Sequence, residues 1–205
     1  MTSRRFLLLC ALFAAGANAQ VIEFESSGLK YKALTHNGVT IMVATLHTHV
    51  RSYGILQVAI SNGSPVSWGI RPEDFRFETT DGHVIRATPA KTVIQELLDK
   101  AGRGDVSKLI TAYEAALFSN AEMHSTNGYE ARRQDAMAEG SSRLKAAAAA
   151  SAIAFVTTKL LPGQSTDGAV FYPNAGKPLG AGRLLVHAAG EQFEFPMEAD
   201  PHTSH

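Results

Sequence analysis

Apolar and polar positions change period twice along this chain. From Leu29 to Ala87 they recur every second residue in short runs, the signature of strands. Leu29 to Thr35 and Val39 to Leu46 read as two strands joined by His36-Asn37-Gly38, and Asn-Gly between apolar runs is a strong hairpin signal. Tyr53 to Ile60 is a third strand, closed by Ser61-Asn62-Gly63-Ser64-Pro65. Val66 to Ile70 carries the single tryptophan, Trp68. Asp74 to Thr79 places Phe75 and Phe77 on one face, and Asp81-Gly82 turns the chain into His83 to Ala87.

At Thr88 the period becomes helical. Thr88-Pro89 reads as an N-cap with proline at the first helical position. Val93, Ile94, Leu97, Leu98 and Ala101 share one helical face, and Gly102 and Gly104 end that helix. Asp105 reads as the cap of a second helix with the stripe Val106, Leu109, Ile110, Tyr113 and Leu117. A third helical region runs from Tyr129 to Val156 and is broken at Gly140-Ser141-Ser142.

The alternation of strands then returns. Thr158 to Leu160 ends at a Pro162-Gly163 turn, Ser165-Thr166-Asp167-Gly168 reads as a polar link, and Ala169 to Tyr172 is a short strand stopped by Pro173. Arg183 to Ala188 and Gln192 to Met197 form a last hairpin around Ala189-Gly190-Glu191. The order is strands, helices, strands, and the two strand blocks are expected to pair. Trp68, Phe75 or Phe77, and Phe171 are expected to share one sandwich core.

Composition sets the context. The chain has 205 residues, 45% hydrophobic and 19% charged, with a formal net charge of zero. That suits a globular core and gives no electrostatic footprint for nucleic acid. Arg4 and Arg5, the apolar run Phe6 to Ala15, and Ala17-Asn18-Ala19 form a signal peptide with cleavage expected before Gln20. The twin-Arg pair lacks the rest of a Tat-type context, which points to the general secretion route. The apolar run is too short to span a membrane, so the mature chain is expected to have no transmembrane segment. The only cysteine, Cys10, follows Leu7, Leu8 and Leu9 rather than the small residues of a lipidation site. The mature chain therefore carries no thiol, and removing Arg4 and Arg5 takes the formal charge from zero to minus two.

The divisions are a signal peptide (1–19), the first part of a β-sandwich (20–87), a helical insertion (88–156), the second part of the sandwich (157–198) and a flexible tail (199–205). Four stretches carry a resemblance: V-A-I-S-N-G-S-P-V from Val58, D-F-R-F-E-T-T-D-G from Asp74, L-L-P-G-Q-S-T-D-G-A-V-F-Y from Leu160, and the closing Q-F-E-F-P. Together, about a third of the chain resembles the immunoglobulin-like sandwich domains of exported bacterial proteins of unknown function. The resemblance implies an α+β fold built on an antiparallel immunoglobulin-like β-sandwich with the helices inserted between two strands. It also implies a periplasmic or extracellular location, and it implies no activity.

Candidate chemistry is sparse. His47 and His49, two apart at a strand end, point to one side if the strand is regular and are the candidate metal ligands. No third ligand is evident, and His36, His83, His124 and His187 read as surface residues. Ser142-Arg143-Leu144-Lys145 matches S-x-x-K without the S-D-N and K-T-G partners, so Ser142 reads as a helix cap. Gly163-Gln164-Ser165 lacks the second glycine of a nucleophile elbow, where Asp167 stands. Asn62-Gly63-Ser64 is followed by Pro65 and reads as a turn. Glu73-Asp74 and Glu191/Glu194 read as solvated strand edges. No cofactor is indicated. Ala146 to Val156 is expected to be buried against the sandwich, the alternative being a surface for a partner or membrane. The reading that follows is a non-enzymatic exported protein that binds a protein or envelope component. Its alternatives are an envelope hydrolase and a histidine metal-binding protein. The helical block reads slightly better as a binding appendage than as a cover over a sheet face or edge.

Overall fold

Asn37 and Gly38 adopt left-handed φ angles of 49° and 78°. Positive φ at both central residues matches the right-handed twist of the flanking strands. That hairpin belongs to the largest of three sheets in the computed structural model, which describes residues 20–26, 29–118, 128–175, 177 and 179–199. The predicted signal peptide with Cys10, His124, and the tail beyond 199 lie outside the described residues.

The strands are β1 (Ile22–Ser26), β2 (Leu29–His36), β3 (Val39–Val50), β4 (Tyr53–Asn62), β5 (Trp68–Ile70), β6 (Phe75–Thr79) and β7 (Val84–Arg86). The helices follow as α1 (Ala90–Lys100), α2 (Arg103–Phe118), α3 (Tyr129–Ala138) and α4 (Ser142–Ile153). The chain then returns to β8 (Thr158–Leu160), β9 (Ser165–Pro173), β10 (Gly182–Ala188) and β11 (Glu191–Met197). Every strand pair is antiparallel. One sheet has the order β1-β2-β3-β4-β9, a second β11-β10-β6-β7, and β5 pairs with β8. The two strand blocks therefore pair at β4–β9, β6–β10 and β5–β8, as the sequence predicts. The fold is mixed α and β, with antiparallel sheets.

Period-two alternation sorts the five-stranded sheet into two buried faces. Leu56, Val58 and Ile60 of β4, with Val170 and Tyr172 of β9, meet Phe75, Phe77, Leu184, Val186, Phe193 and Phe195 of the four-stranded sheet. Tyr53 and Ile55 of β4, with Ala169 and Phe171 of β9, meet Val93, Leu97, Leu109, Tyr113 and the alanine face of α4. The helices thus cover the outer face of the sheet and share a core with it. Ala146, Ala147, Ala149, Ala150, Ala152 and Ile153 are buried, as expected for Ala146 to Val156, whereas Ser151 and Val156 in the same segment are exposed. Phe171 differs from expectation: it lies on the helix-facing side, edge-on to Tyr53 at 6.4 Å, while Phe75 and Phe77 lie in the sandwich core. Trp68 is only half-buried at that core's margin.

Several local expectations are corrected. Thr88 does not cap α1: its N–H donates to the Phe171 carbonyl at 2.7 Å and Pro89 takes the N-cap position. Asp105 lies inside the first turn of α2, where its carboxylate accepts from the Gly102 N–H at 2.9 Å. Ser141, not Ser142, caps α4, accepting from the Leu144 N–H. The stretch Ser165 to Gly168 is no link but the first half of β9, paired with Asp167 opposite Ala59. β1, unforeseen in the sequence, pairs along β2.

Where α4 ends, the chain runs onto the outer edge of β9. The Phe155 N–H donates to the Ala169 carbonyl at 2.9 Å, and Ala154 bridges Ala169 in parallel. Gly168 permits this approach, since a Cβ there would stand 2.6 Å from the Phe155 Cα. The Phe155 ring then enters the sandwich core, edge-on to Phe75 at 5.4 Å. Among the described residues no helix is long and apolar enough to cross a membrane.

Candidate functional site

Burying a carboxylate is costly unless donors surround it. Asp167 is 6% exposed in the middle of β9, on the face turned to the helices. The hydroxyl of Tyr113, a fully buried residue of α2, donates to Asp167 Oδ2, and Gln57 Nε2 lies 3.5 Å from the same oxygen. Gln57 sits opposite Ala169 on the neighbouring strand and is itself 4% exposed. Its Oε1 has no hydrogen-bond partner. The Tyr113 ring packs against Tyr129 of α3, centroids 4.7 Å apart, and the Tyr129 hydroxyl donates to Glu114 at 3.3 Å. Glu114 in turn pairs with Arg133, and Arg132 donates to the Ala152 carbonyl at 2.9 Å. Polar contacts thus tie the sheet to α2, α2 to α3, and α3 to the end of α4, with a ring contact between Tyr113 and Tyr129 among them.

A second contact ties α1 to the same face. The Tyr53 hydroxyl donates to Glu96 at 2.7 Å. Burial, and then the bond to that carboxylate, push the Tyr53 hydroxyl up to about 12. On the sandwich side, the Tyr172 hydroxyl is fully buried without a partner, and burial alone drives its pKa far upward. Chemically, the Tyr113–Asp167–Gln57 group holds a donor, a carboxylate and an amide in contact, and both α2 and β9 seal it from solvent. Such a set can fix two elements against each other. Acid–base work needs a group within reach of a substrate proton.

The residues singled out in the sequence fall elsewhere. His47 and His49 both lie on β3, and the register of β3 against β4 shifts between Thr45 and His49. A bulge of this kind breaks the strict alternation that would align two residues on one side. The His47 side chain lies outside what the structure describes, and His49 is half-buried. Among the described residues no group of three or more His, Cys, Asp or Glu converges as a metal set. The His36 ring sits edge-on to Phe193 at 4.9 Å, and His83 lies 3.8 Å from Asp81 on the surface. Asp74 closes the turn at Arg71, accepting from its backbone N–H at 2.9 Å. Glu191 accepts from Asn37, and Arg183 joins Glu194 to Glu78. Asn62 is fully buried, donating to the Val66 and Leu160 carbonyls and accepting from Ser64. It organises the turn, with Trp68 donating to Ser64 at 2.8 Å.

The sequence did carry one signal for Asp167. A tyrosine in the buried stripe of a helix needs a partner for its hydroxyl, and Tyr113 stands in such a stripe. Compared with known proteins, the chain matches no family model, no curated protein and no solved structure.

Proposed function

We propose that the protein is an exported, non-enzymatic binding or assembly module of the bacterial cell envelope, an immunoglobulin-like sandwich scaffold whose helical insertion braces the sheet. The observation that supports this reading most is the sealed state of the Tyr113–Asp167–Gln57 group, 0%, 6% and 4% exposed. These side chains hold α2 on β9, which suits a rigid scaffold. The leader, read from Arg4 to Ala19, supports export.

Photo-crosslinking in living cells from exposed positions tests the reading. The expected result is a discrete adduct with an envelope component, on a protein whose N-terminus by mass spectrometry is Gln20. Turnover of an ester or glycoside panel that is abolished by Asp167→Asn would replace it with the hydrolase reading. An exported protein that retains Met1 would remove the leader from the argument.

A further inference from the structure

A strand at the margin of a sheet leaves a row of backbone donors and acceptors open, and proteins usually block such edges. Of the four margins of the two larger sheets, three are blocked or shortened. Thr88 and Phe155 hydrogen-bond along the outer edge of β9. β7 has only three residues, and β11 carries Pro196, which has no N–H. β1 is different. It is five residues long, and between described residues no backbone hydrogen bond reaches the outer edge of residues 22–25. Ile22 is 64% exposed and Phe24 37%, so an apolar stripe accompanies the open edge.

We propose that the outer edge of β1 is a docking site for an extended partner peptide that alternates basic and apolar residues. The chain itself supplies the template. On its inner side, β1 sets Glu25 opposite Lys30, Phe24 opposite Tyr31, and Glu23 opposite Lys32. Lys32 pairs with Glu23, and Phe24 stacks on Tyr31 with ring centroids 5.3 Å apart. Glu23 and Glu25 share one face and Ile22 and Phe24 the other. A strand added outside would therefore meet the same demand that β2 meets inside: cations opposite the glutamates, apolar side chains beside Phe24. A second copy fits badly. Antiparallel self-pairing centred on Phe24 sets Glu23 against Glu25 twice, and like charges directly opposite are destabilising.

This inference rests on the binding reading above, and its test separates the two. The whole exported protein is titrated with three labelled peptides: alternating lysine and valine, alternating glutamate and valine, and lysines and valines in two blocks. The alternating lysine peptide is expected to bind, with slowed amide exchange at residues 22–26. The glutamate peptide is expected to bind roughly tenfold more weakly, about what two reversed charge pairs are worth, and the blocked peptide more weakly than the alternating one because it cannot set lysines and valines in the matching alternation. Glu23→Lys with Glu25→Lys, checked for an unchanged circular dichroism spectrum, is expected to invert the preference towards the glutamate peptide. Equal binding of the blocked and alternating lysine peptides overturns the proposal, as does a preference that survives the charge reversal. A concentration-dependent dimer protected at 22–26 would assign the edge to a second copy and also overturn it. If the peptides fail while crosslinks form from other faces, the docking site is wrong and the binding reading stands.

Discussion

On the face toward β6, β10 and β11, the five-stranded sheet buries Val58, Ile60 and Val170 against Phe75, Phe77, Phe193 and Phe195. On its other face it meets the alanines of α4, with larger side chains from α1 and α2 at the flanks. Large branched and aromatic side chains interlock, so the sandwich core specifies its own register through shape. A row of alanines lets a helix approach closely but offers little relief to fix where it sits. On that face position is set by polar contacts: Tyr113 to Asp167, Tyr53 to Glu96, and Arg132 to the Ala152 carbonyl. The aromatic core holds a hydroxyl, Tyr172, that makes no such contact. The comparison teaches that the same sheet is held by shape alone on one side and by packing together with directed hydrogen bonds on the other.

Four changes test that contrast, from the largest expected effect down. Phe171→Ala removes the one large aromatic that β9 gives to the helix side and is expected to cost about 3–5 kcal/mol in a urea melt. An unchanged melt would mean that the alanine face holds without it. Tyr113→Phe strips the donor from a buried carboxylate and is expected to cost about 1.5–3 kcal/mol. Amide exchange in α2 should quicken before exchange in β6 and β10, and equal quickening in all three would erase the distinction between the faces. Tyr172→Phe, the same chemical change on the opposite face, removes a buried hydroxyl without a partner. It is expected to be neutral or to stabilise by about 1 kcal/mol, and a loss as large as that of Tyr113→Phe would refute the contrast.

The smallest effect is in alkali. An acid whose folded pKa is raised contributes stability that is present below the unfolded value and lost as pH climbs through the folded one. For Tyr53 that window opens near its ordinary 10.0 and extends to about 12. Thermal melts of the parent are expected to fall across it more steeply than those of Tyr53→Phe, and parallel curves would remove the Glu96 contact from the account.

Much of the scaffold was legible because local signals agreed with the tertiary outcome. The Asn37-Gly38 hairpin, the break between α3 and α4, and the burial of most of Ala146 to Val156, though not of Val156 itself, follow from turn chemistry and period. The buried polar group was not legible for a specific reason. Ser165, Thr166, Asp167 and Gly168 have the composition of a turn, yet pairing with β4 makes them strand; tertiary pairing overrode local propensity. Phe171 was assigned to the wrong face because β9 is buried on both faces, so its alternation does not say which side meets the four-stranded sheet and which the helices. β1 escaped notice because its alternation is split between solvated glutamates and exposed apolar residues, with no buried face to mark it. His47 and His49 were read by strict alternation, which the register shift in β3 interrupts.

The helical block joins the sheets at two points on one strand. Thr88 bridges Phe171 and Ala154 bridges Ala169, so the block leaves and rejoins the sandwich within two residues of β9, roughly 7 Å. Gln57 and Asp167 are 110 positions apart in sequence, yet the pairing they belong to spans only a short detour once the block is folded. Folding the helices first shortens the effective loop that β4 and β9 must close, which lowers the entropic barrier to the most distant pairing in the sheet.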